Sequence, residues 1–496
     1  MNLATIAEPH AADAVCLVAR GEPVTYGEVR EQAARLRAGL VHLGLDPGDR
    51  VGIVCANTPS FVEAWLGVLG AGLVAVPLNP ASPARELSRE LASIGARAVV
   101  VGPAGVAPFS GVDRAALPVL EHVIECRGGD LPGSVALDDL VAPPTEIVDR
   151  GDDDLAVLMF TSGTAGAPKA AMLTHGNLLA NLGQVQSVPA AARGADDVGF
   201  GLLPMFHIFG LNVVLNTTLL TGSRIVLVER FDPHGTFELI REHGITTMTG
   251  PPTMWAALAA VPDAPADAFA GVRIAASGAA KLPVEVAERL EARFGLHLGE
   301  GYGLTESSPV VTNSVGTGAP RGSIGRPLPG VEMRLVDDEG DDVLVGDAGE
   351  IWVRGPNVFR GYWNDLEATD AALTRDGWLR TGDVGVVDDD GFLFIVDRVK
   401  DLVIVSGFNV YPAEVEEALV EHPAVAEAAV VGVPHPHTGE AIRAYVVTVP
   451  DAPVDEDELV AFVGERLARY KCPGSIEFVT EIPRGLGGKI LRRTFR

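Results

Sequence analysis

Residues 155–169 read Leu-Ala-Val-Leu-Met-Phe-Thr-Ser-Gly-Thr-Ala-Gly-Ala-Pro-Lys, and this stretch decides the fold. Its first five residues form an apolar run that is typical of a buried strand. The following residues, 160–169, combine hydroxyl side chains, two glycines and a terminal lysine. Glycines let backbone N–H groups approach an anion, while hydroxyls and an ammonium group add donors and charge. The stretch therefore predicts a strand that ends in a polyphosphate-binding loop.

The loop differs from the P-loop of common NTPases. That motif needs Gly before its lysine and Ser or Thr after it, whereas Pro168 and Ala170 occupy these places. An ordinary P-loop NTPase is therefore disfavoured, and the structural alternative is a surface turn rich in Ser, Thr and Gly. The residues predicted to contact phosphate are Thr161, Ser162, Gly163, Thr164, Gly166 and Lys169.

A second motif lies at residues 301–306 and reads Gly-Tyr-Gly-Leu-Thr-Glu. The aromatic ring of Tyr302 would stack on a base, and a carboxylate such as that of Glu306 is a suitable Mg²⁺ ligand. The structural alternative for Glu306 is an acid that caps a helix. Together with the first motif, this segment favours a nucleotide site.

Three further motifs complete a recognisable series: Thr381-Gly382-Asp383, the run Asp-Arg-Val-Lys at 397–400, and Gly488-Lys489. In order and spacing, the five motifs resemble the adenylate-forming (AMP-binding) superfamily, in particular fatty-acid–CoA ligases and 4-coumarate–CoA ligases. The resemblance runs from about residue 25 to residue 496. It implies an acyl-CoA synthetase that uses ATP and Mg²⁺, with CoA as co-substrate.

The resemblance assigns roles in nucleotide binding. It implies that Thr305 contacts the α-phosphate, that Glu306 binds Mg²⁺ and that Asp383 accepts hydrogen bonds from the ribose hydroxyls. Arg398 would contact ribose or phosphate. The adenine would lie along a segment of small residues and beside the second motif, at Ser277, Gly278, Ala279, Ala280, Gly301 and Tyr302.

The carboxy-terminal motifs imply a second set of roles. Lys489 matches the lysine that bridges the carboxylate and the α-phosphate during adenylation, although a solvated lysine in a basic tail is the alternative. Lys400 matches the hinge about which a small domain turns. Ser406, Gly407 and Phe408 match the segment that guides the pantetheine of CoA.

Some positions depart from the commonest family pattern. Ala165 removes one phosphate-binding hydroxyl, and Ala170 replaces a frequent glycine. Residues 486–487, Leu-Gly, stand where Pro and Ser or Thr are usual. None of these changes removes an indispensable charge, so the resemblance still implies an enzyme.

The acid substrate would lie against Phe206, His207, Ile208, Phe209 and Trp255. Amino-acid-activating relatives carry an Asp where His207 follows Phe206, so an amino-acid substrate is disfavoured. These side chains would form apolar and aromatic walls, which favour a medium- or long-chain fatty acid. The alternatives are an aryl acid, loading of a carrier protein as fatty-acyl-AMP ligases do, and a non-catalytic nucleotide- or acyl-binding regulator.

Bulk properties restrict the partners and the location. The formal charge of −28 argues against nucleic acid or an anionic membrane as a partner. Four scattered cysteines signal neither a zinc site nor a disulfide framework, and Asp13 interrupts the apolar amino-terminal stretch, so we expect a cytoplasmic protein. Residues 198–223 lack charged side chains, but Pro204 and several Asn and Thr residues favour a buried helix and its preceding loop over a membrane span.

The first half of the chain alternates apolar strand-like runs with amphipathic helical patterns, which indicates mostly parallel sheets. We expect an α/β fold, with a large N-terminal AMP-binding domain (1–398) of doubly wound, mostly parallel sheets. Short strands with Gly and Asp turns predict a β-rich subdomain at about 320–396. The resemblance places a small mobile α+β domain at 399–496, with its hinge near Lys400.

Overall fold

The computed structural model describes the chain except residues 128–130, 162–168, 338, 399–402, 406–407, 411, 436–438, 451, 468, 485–489 and 496. The described strands, in chain order, are β1 (Val15–Ala19), β2 (Glu22–Thr25), β3 (Arg50–Val54), β4 (Val74–Leu78), β5 (Ala98–Val101), β6 (His122–Glu125), β7 (Val135–Ala136), β8 (Leu155–Thr161), β9 (Lys169–Thr174), β10 (Val198–Gly201), β11 (Arg224–Leu227), β12 (Thr247–Gly250), β13 (Ile274–Ser277), β14 (Gly299–Gly303), β15 (Val310–Asn313), β16 (Arg326–Pro327), β17 (Glu332–Val336), β18 (Gly349–Arg354), β19 (Leu379–Val387), β20 (Leu393–Arg398), β21 (Val403–Val405), β22 (Phe408–Val410), β23 (Val425–His435), β24 (Gly439–Thr448) and β25 (Ser475–Phe478).

The described α-helices are α1 (Tyr26–His42), α2 (Pro59–Gly70), α3 (Ala84–Ile94), α4 (Val106–Ser110), α5 (His175–Gln186), α6 (Thr217–Thr221), α7 (Pro233–His243), α8 (Pro252–Ala260), α9 (Val284–Phe294), α10 (Leu366–Ala372), α11 (Pro412–Val420) and α12 (Glu456–Gly464). A π-helical segment, Phe209–Asn216, leads directly into α6.

The first large sheet has seven strands in the order β7-β6-β5-β3-β4-β8-β9. All neighbours are parallel except the last pair, β8 and β9. Helix α2 is apolar apart from Ser60 and Glu63, and its residues are all buried, as expected for a helix enclosed by the core. Helix α3 packs its apolar stripe on the opposite face of the sheet. Helices thus cover both faces, which is the doubly wound arrangement.

The second large sheet has nine strands in the order β16-β15-β14-β13-β12-β10-β11-β1-β2. The six central strands, from β14 to β1, are parallel. The largest core cluster joins buried side chains of both large sheets with those of α1 and α2. Helices α7, α8 and α9 cover the other face of the second sheet through a separate cluster.

Two smaller sheets follow along the chain. Strands β17 to β20 form an antiparallel sheet in sequence order, within the region predicted to be β-rich. Strands β21 to β25 form the last sheet, on which α11 and α12 pack through their own core cluster. The predicted fold class, with parallel-rich sheets, a β-rich region and a smaller carboxy-terminal α+β unit, is confirmed. The boundary at residue 398 and the hinge stay predictions.

The uncharged stretch 198–223 contains more structure than predicted. It begins with strand β10, which the sequence analysis did not predict, and the buried helix is π-helical before it becomes α6. Its polar side chains have internal partners: Asn212 Nδ2 donates to the carbonyl of Ser308 at 2.6 Å, and the Trp65 indole donates to Asn216 Oδ1 at 2.9 Å. Among the described residues, no helix has both the length and the hydropathy that a bilayer span requires.

Candidate active site

The predicted site residues follow the carboxyl ends of neighbouring parallel strands. Residues 206–209 follow β10, residues 278–280 follow β13, and residues 304–306 follow β14. These strands are separated only by β12 in the second sheet. Because parallel strands end at the same edge, the topology brings the three segments to one crevice, where ligands of open α/β sheets bind.

The predicted phosphate loop connects β8 and β9, which form an antiparallel hairpin. Thr161 and Lys169 form the last pair of this hairpin before the connecting loop, and Lys169 is exposed. Four of the predicted phosphate contacts, Ser162, Gly163, Thr164 and Gly166, lie outside the described residues. The structure therefore fixes where the loop leaves and re-enters the sheet.

Tyr362 contacts both Lys169 and Glu306, the predicted metal ligand. The Lys169 ammonium nitrogen lies 5.3 Å from the centre of the Tyr362 ring. The hydroxyl of Tyr362 donates to Glu306 Oε1 at 2.6 Å. The sequence analysis missed Tyr362, which belongs to none of the five motifs.

The predicted ribose ligand meets the predicted base-stacking residue directly. The Tyr302 hydroxyl donates to Asp383 Oδ2 at 2.7 Å, and Asp383 is only 3% exposed. Arg398 is paired with Asp383 across strands β19 and β20, which brings the backbones of these two predicted ligands side by side. The side chain of Arg398 lies outside the described part.

A half-buried glutamate, Glu350, organises the irregular part of β19 that carries Asp383. The N–H of Gly382 donates to Glu350 Oε1 at 2.9 Å, and the Trp352 indole donates to Glu350 Oε2 at 2.9 Å. The hydroxyl of Thr381 accepts from the N–H of Asp383 at 3.1 Å. Glu350 was also missed from the sequence, where it appears only as an acid at the start of a predicted strand.

The predicted adenine segment has two unusual features. Ser277 is 1% exposed, and its hydroxyl has no hydrogen-bond partner within the described part of the chain. Ala279 has a φ of 72°, a left-handed conformation that is costly for a residue with a Cβ atom. A Cβ added to Gly278 would lie 3.0 Å from the Phe209 ring, so glycine permits this close packing. Buried polar atoms and backbone strain are typical of ligand sites.

Glu300 lies beside this segment, paired with Ser277 across β13 and β14. It is 7% exposed and accepts a hydrogen bond from the N–H of Leu282 at 3.3 Å. Burial raises the pKa of Glu300 from 4.5 to about 7. The sequence analysis did not select it, although it immediately precedes the second motif.

The residues predicted to line the acid pocket divide into two groups. Phe206 and Phe209 are half-buried, and His207 is exposed, with Nδ1 accepting the N–H of Phe209 at 3.2 Å. Ile208 and Trp255 belong to hydrophobic clusters, at 1% and 0% exposure, and the Trp255 indole donates to the carbonyl of Ala276 at 3.1 Å. Both side chains are thus packed in hydrophobic clusters, and their role as pocket walls stays a prediction.

The arrangement suits a metal ion that binds together with a nucleotide. Within the described ranges, no group of three or more His, Cys, Asp or Glu side chains could hold a metal alone. Mg²⁺ commonly takes one or two protein carboxylates and completes its shell with phosphate oxygens and water. Glu306, partly exposed in the turn after β14, meets that requirement.

The carboxy-terminal predictions fall largely outside the described residues: Lys400, Ser406, Gly407 and Lys489. The backbone of Phe408 begins β22, but its side chain is outside the described part. One ion pair links this region to the crevice. Lys281, next to the predicted adenine segment, donates to Glu417 on α11.

Family comparisons give the class of protein that this fold and crevice define. A family model described as AMP-binding enzyme matches residues 3–363, and one described as AMP-binding enzyme C-terminal domain matches residues 414–489. The chain belongs to the AMP-binding enzyme family. The prediction of an AMP-forming acid–thiol ligase, which uses ATP and CoA, is confirmed.

Named relatives extend over almost the whole chain. A long-chain-fatty-acid–CoA ligase of Bacillus subtilis (strain 168) is 37% identical, over 95% of this chain and 90% of the relative. A feruloyl-CoA synthase of an Amycolatopsis species is 38% identical, over 96% of this chain and 94% of the relative. These names include both aliphatic and aryl acids, so the class of acid is not decided by similarity.

Solved structures agree with the fold over the full length. ATP-bound MatB from Rhodopseudomonas palustris superposes with a TM-score of 0.90 at 32% identity, covering 100% of this chain and 98% of that chain. A benzoate CoA ligase from Burkholderia xenovorans LB400 has a TM-score of 0.87 at 31% identity, with 100% of both chains covered.

Proposed function

We propose that the chain activates a medium- or long-chain fatty acid as acyl-AMP and transfers the acyl group to CoA. The observation that carries the choice of acid is the uncharged stretch 198–223, which supplies half-buried Phe206 and Phe209 beside the crevice. The stretch contains no Lys or Arg that could bind the second carboxylate of a dicarboxylic acid. It also contains no Asp or Glu that could bind the ammonium group of an amino acid. An apolar acyl chain suits such walls.

The first half-reaction joins two anions. A carboxylate oxygen attacks the α-phosphorus of ATP, the bond from that phosphorus to the bridging oxygen breaks, and pyrophosphate leaves. The barrier is largely electrostatic, so donors and cations must screen the approaching oxygens and the departing charge. Lys169 and the hairpin loop would hold the β- and γ-phosphates, Thr305 the α-phosphate, and Lys489 the α-phosphate and the carboxylate.

Glu306 and the phosphate oxygens would hold Mg²⁺. The ion, when bound, neutralises phosphate charge and supports the departure of pyrophosphate. The protein's part is to present one carboxylate oxygen in a fixed direction from the turn after β14. That turn is held at its backbone, because the N–H of Phe359 donates to the carbonyl of Glu306 at 2.8 Å.

The nucleoside would occupy the space between the second sheet and the β-rich sheet. Asp383 would accept the ribose hydroxyls, and Tyr302 would stack on adenine beside residues 277–280. The 2.7 Å bond between Tyr302 and Asp383 supports this assignment, since it places the proposed base and ribose contacts within one nucleoside's reach.

In the second half-reaction the thiol sulfur of CoA attacks the acyl carbonyl and AMP leaves. We propose that residues 399–496 turn about Lys400 between the two steps, which withdraws Lys489 and presents Ser406, Gly407 and Phe408 to pantetheine. A large domain at 1–398 with a smaller mobile unit is part of this proposal.

An aryl acid is the second candidate, and the feruloyl-CoA synthase relative at 38% identity favours it. The same Phe206 and Phe209 walls would accept a flat ring. The two candidates differ in the depth of pocket they need. A chain-length series therefore separates them better than any single acid.

The test is acid-dependent pyrophosphate release with Mg-ATP over C2–C18 fatty acids and a series of aryl acids, with products identified by mass. Each acid is assayed alone, with CoA, and with a phosphopantetheinylated carrier protein. Acyl-CoA formation that is fastest at C8–C18 supports the proposal. Faster turnover of aryl acids moves the assignment to an aryl-CoA ligase, and acyl-AMP that persists with CoA but not with the carrier moves it to carrier loading.

A further inference from the structure

We propose that Tyr362 is a positioning residue that fixes the metal carboxylate Glu306 and the phosphate-loop Lys169 relative to each other. Its hydroxyl donates to Glu306 Oε1 at 2.6 Å, and its ring lies 5.3 Å from the Lys169 ammonium. One side chain thus contacts two groups that act on the same polyphosphate. The inference rests on the roles of Glu306 and Lys169 in the proposed function.

The backbone of Tyr362 is fixed against the strand that carries Lys169. Tyr362 forms an antiparallel bridge with Ala171 of β9, and the N–H of Trp363 donates to the carbonyl of Ala170 at 2.8 Å. The N–H of Tyr362 itself donates to the Thr369 hydroxyl at 2.9 Å. The short segment around Tyr362 therefore acts as an extra strand on the β9 edge.

The same segment is tied to the turn that carries Glu306. The N–H of Phe359 donates to the carbonyl of Glu306 at 2.8 Å. The Phe359 ring is 3% exposed and meets the Tyr362 ring edge to face, with centroids 4.9 Å apart. Backbone and ring packing both restrict Tyr362, so its hydroxyl points in one direction.

The hydroxyl acts as a donor to the carboxylate. A phenol with an ordinary pKa of about 10 keeps its proton at neutral pH, so the Tyr362 hydroxyl is the donor and the carboxylate oxygen the acceptor. Glu306 Oε1 is then engaged, which leaves Oε2 to face a metal ion. Outer contacts of this kind orient a metal ligand and commonly change metal affinity 10- to 100-fold when removed.

The ring acts separately on the lysine. An ammonium group near an aromatic face is attracted by the negative charge density of the ring face. Lys169 is exposed and has a long flexible side chain, so the contact with the ring restricts the position of its ammonium group. The hydroxyl and the ring can therefore be tested with different substitutions.

The principal variant is Tyr362→Phe, which removes the hydroxyl and keeps the ring. We expect the KM for Mg-ATP in acid-dependent ATP–pyrophosphate exchange to rise about 10-fold. The dissociation constant for AMP without metal should stay within about twofold of the unchanged protein, because AMP lacks the phosphates that the metal bridges. Tyr362→Leu should raise the KM further, because it also removes the ring beside Lys169.

The matched control is Tyr26→Phe, which also removes a buried hydroxyl. The Tyr26 hydroxyl shares its proton between the carbonyl oxygens of Thr218 and Ser223, at 2.9 and 2.8 Å. This variant should lower the melting temperature and leave the KM for Mg-ATP unchanged. A double-mutant cycle with Glu306→Gln adds a second readout. Tyr362→Phe should have little further effect on the KM for Mg-ATP in that background, since the metal-binding carboxylate that Tyr362 orients has already been removed.

Equal losses of AMP and Mg-ATP affinity in Tyr362→Phe would overturn the proposal, because a general structural role predicts them. Full additivity with Glu306→Gln would also overturn it. Failure of the proposed function looks different: the unchanged protein would then lack acid-dependent exchange, or Glu306→Gln alone would leave the KM for Mg-ATP unchanged.

Discussion

The hydroxyl of Tyr302 donates a hydrogen bond to Asp383 Oδ2 at 2.7 Å, and this bond joins two sheets of the protein. Tyr302 lies in β14 of the nine-stranded sheet, and Asp383 lies on β19 of the antiparallel sheet. The two residues are 81 positions apart in the sequence. The nucleoside site that we propose is therefore made by the meeting of two sheets.

Removing each partner of this bond should have a different effect on AMP binding. Tyr302→Phe keeps the ring that would stack on adenine, so we expect AMP affinity to fall only about threefold to tenfold, the loss of one hydrogen bond. Asp383→Ala removes the proposed ribose acceptor and should cost about 100-fold, as expected for hydrogen bonds to a charged group. Equilibrium binding of AMP checks both values, and a larger loss in Tyr302→Phe than in Asp383→Ala would contradict the assignment.

Glu350 should matter for AMP binding although it would not contact the nucleotide. Glu350→Gln can accept only one of the two donors, the Gly382 N–H and the Trp352 indole, so the part of β19 before Asp383 should loosen. We expect stability to fall by about 1–3 kcal/mol and AMP affinity to fall severalfold.

The control for Glu350 is Glu332→Gln in the same sheet. Glu332 is paired with Arg354 at the surface and its side chain is 59% exposed, and such pairs contribute little. Chemical unfolding and AMP titration of the two variants give the comparison. If Glu332→Gln weakened AMP binding as much as Glu350→Gln, a specific role for Glu350 would be wrong.

Lys489→Ala should separate the two half-reactions. We expect acid-dependent ATP–pyrophosphate exchange to fall at least about 100-fold, because a cation aimed at developing charge is lost. Thioester formation from supplied acyl-AMP and CoA should change less than about threefold, since the proposed domain rotation withdraws the lysine in that step. Equal loss of both rates would refute the role proposed for Lys489.

Glu300 should make stability depend on pH. Its pKa is raised from 4.5 to about 7 in the folded protein, so the folded state holds this proton more tightly than the unfolded chain. The corresponding stability is complete below pH 4.5 and is lost as the pH rises through about 7, to a total of about 3 kcal/mol. Chemical unfolding of the unchanged protein and Glu300→Gln at pH 5 and pH 9 measures it. An identical pH dependence in both proteins would rule out the buried carboxyl as the cause.

Motif order and hydrophobic pattern predicted much of the fold. The apolar run at 155–159 lies in β8, because a run of apolar residues before a polar loop indicates a buried strand. Strand β10 was missed, since its four residues, Val-Gly-Phe-Gly, are short and half glycine. The contact between the nine-stranded sheet and the β17–β20 sheet, made by Tyr302 and Asp383, was also not predictable from local patterns.

The site was predictable where chemistry is concentrated in a short motif. Glu306 and Asp383 came from such motifs, whereas Tyr362 lies 56 positions from Glu306 and Glu350 lies 32 positions from Gly382. No short-range pattern links those pairs. Trp255 shows where sequence alone cannot decide, because an apolar residue that lines a pocket and one that fills a core look the same in sequence.

The central claim is that the acid becomes an acyl-adenylate before it meets CoA. Turnover of a fatty acid labelled with ¹⁸O at both carboxylate oxygens tests it, with AMP, pyrophosphate and acyl-CoA analysed by mass. We predict one ¹⁸O in the phosphate of AMP and one in the thioester carbonyl, because the oxygen that attacks the α-phosphorus leaves with AMP. Label in pyrophosphate or inorganic phosphate, or unlabelled AMP beside labelled acyl-CoA, would contradict the account.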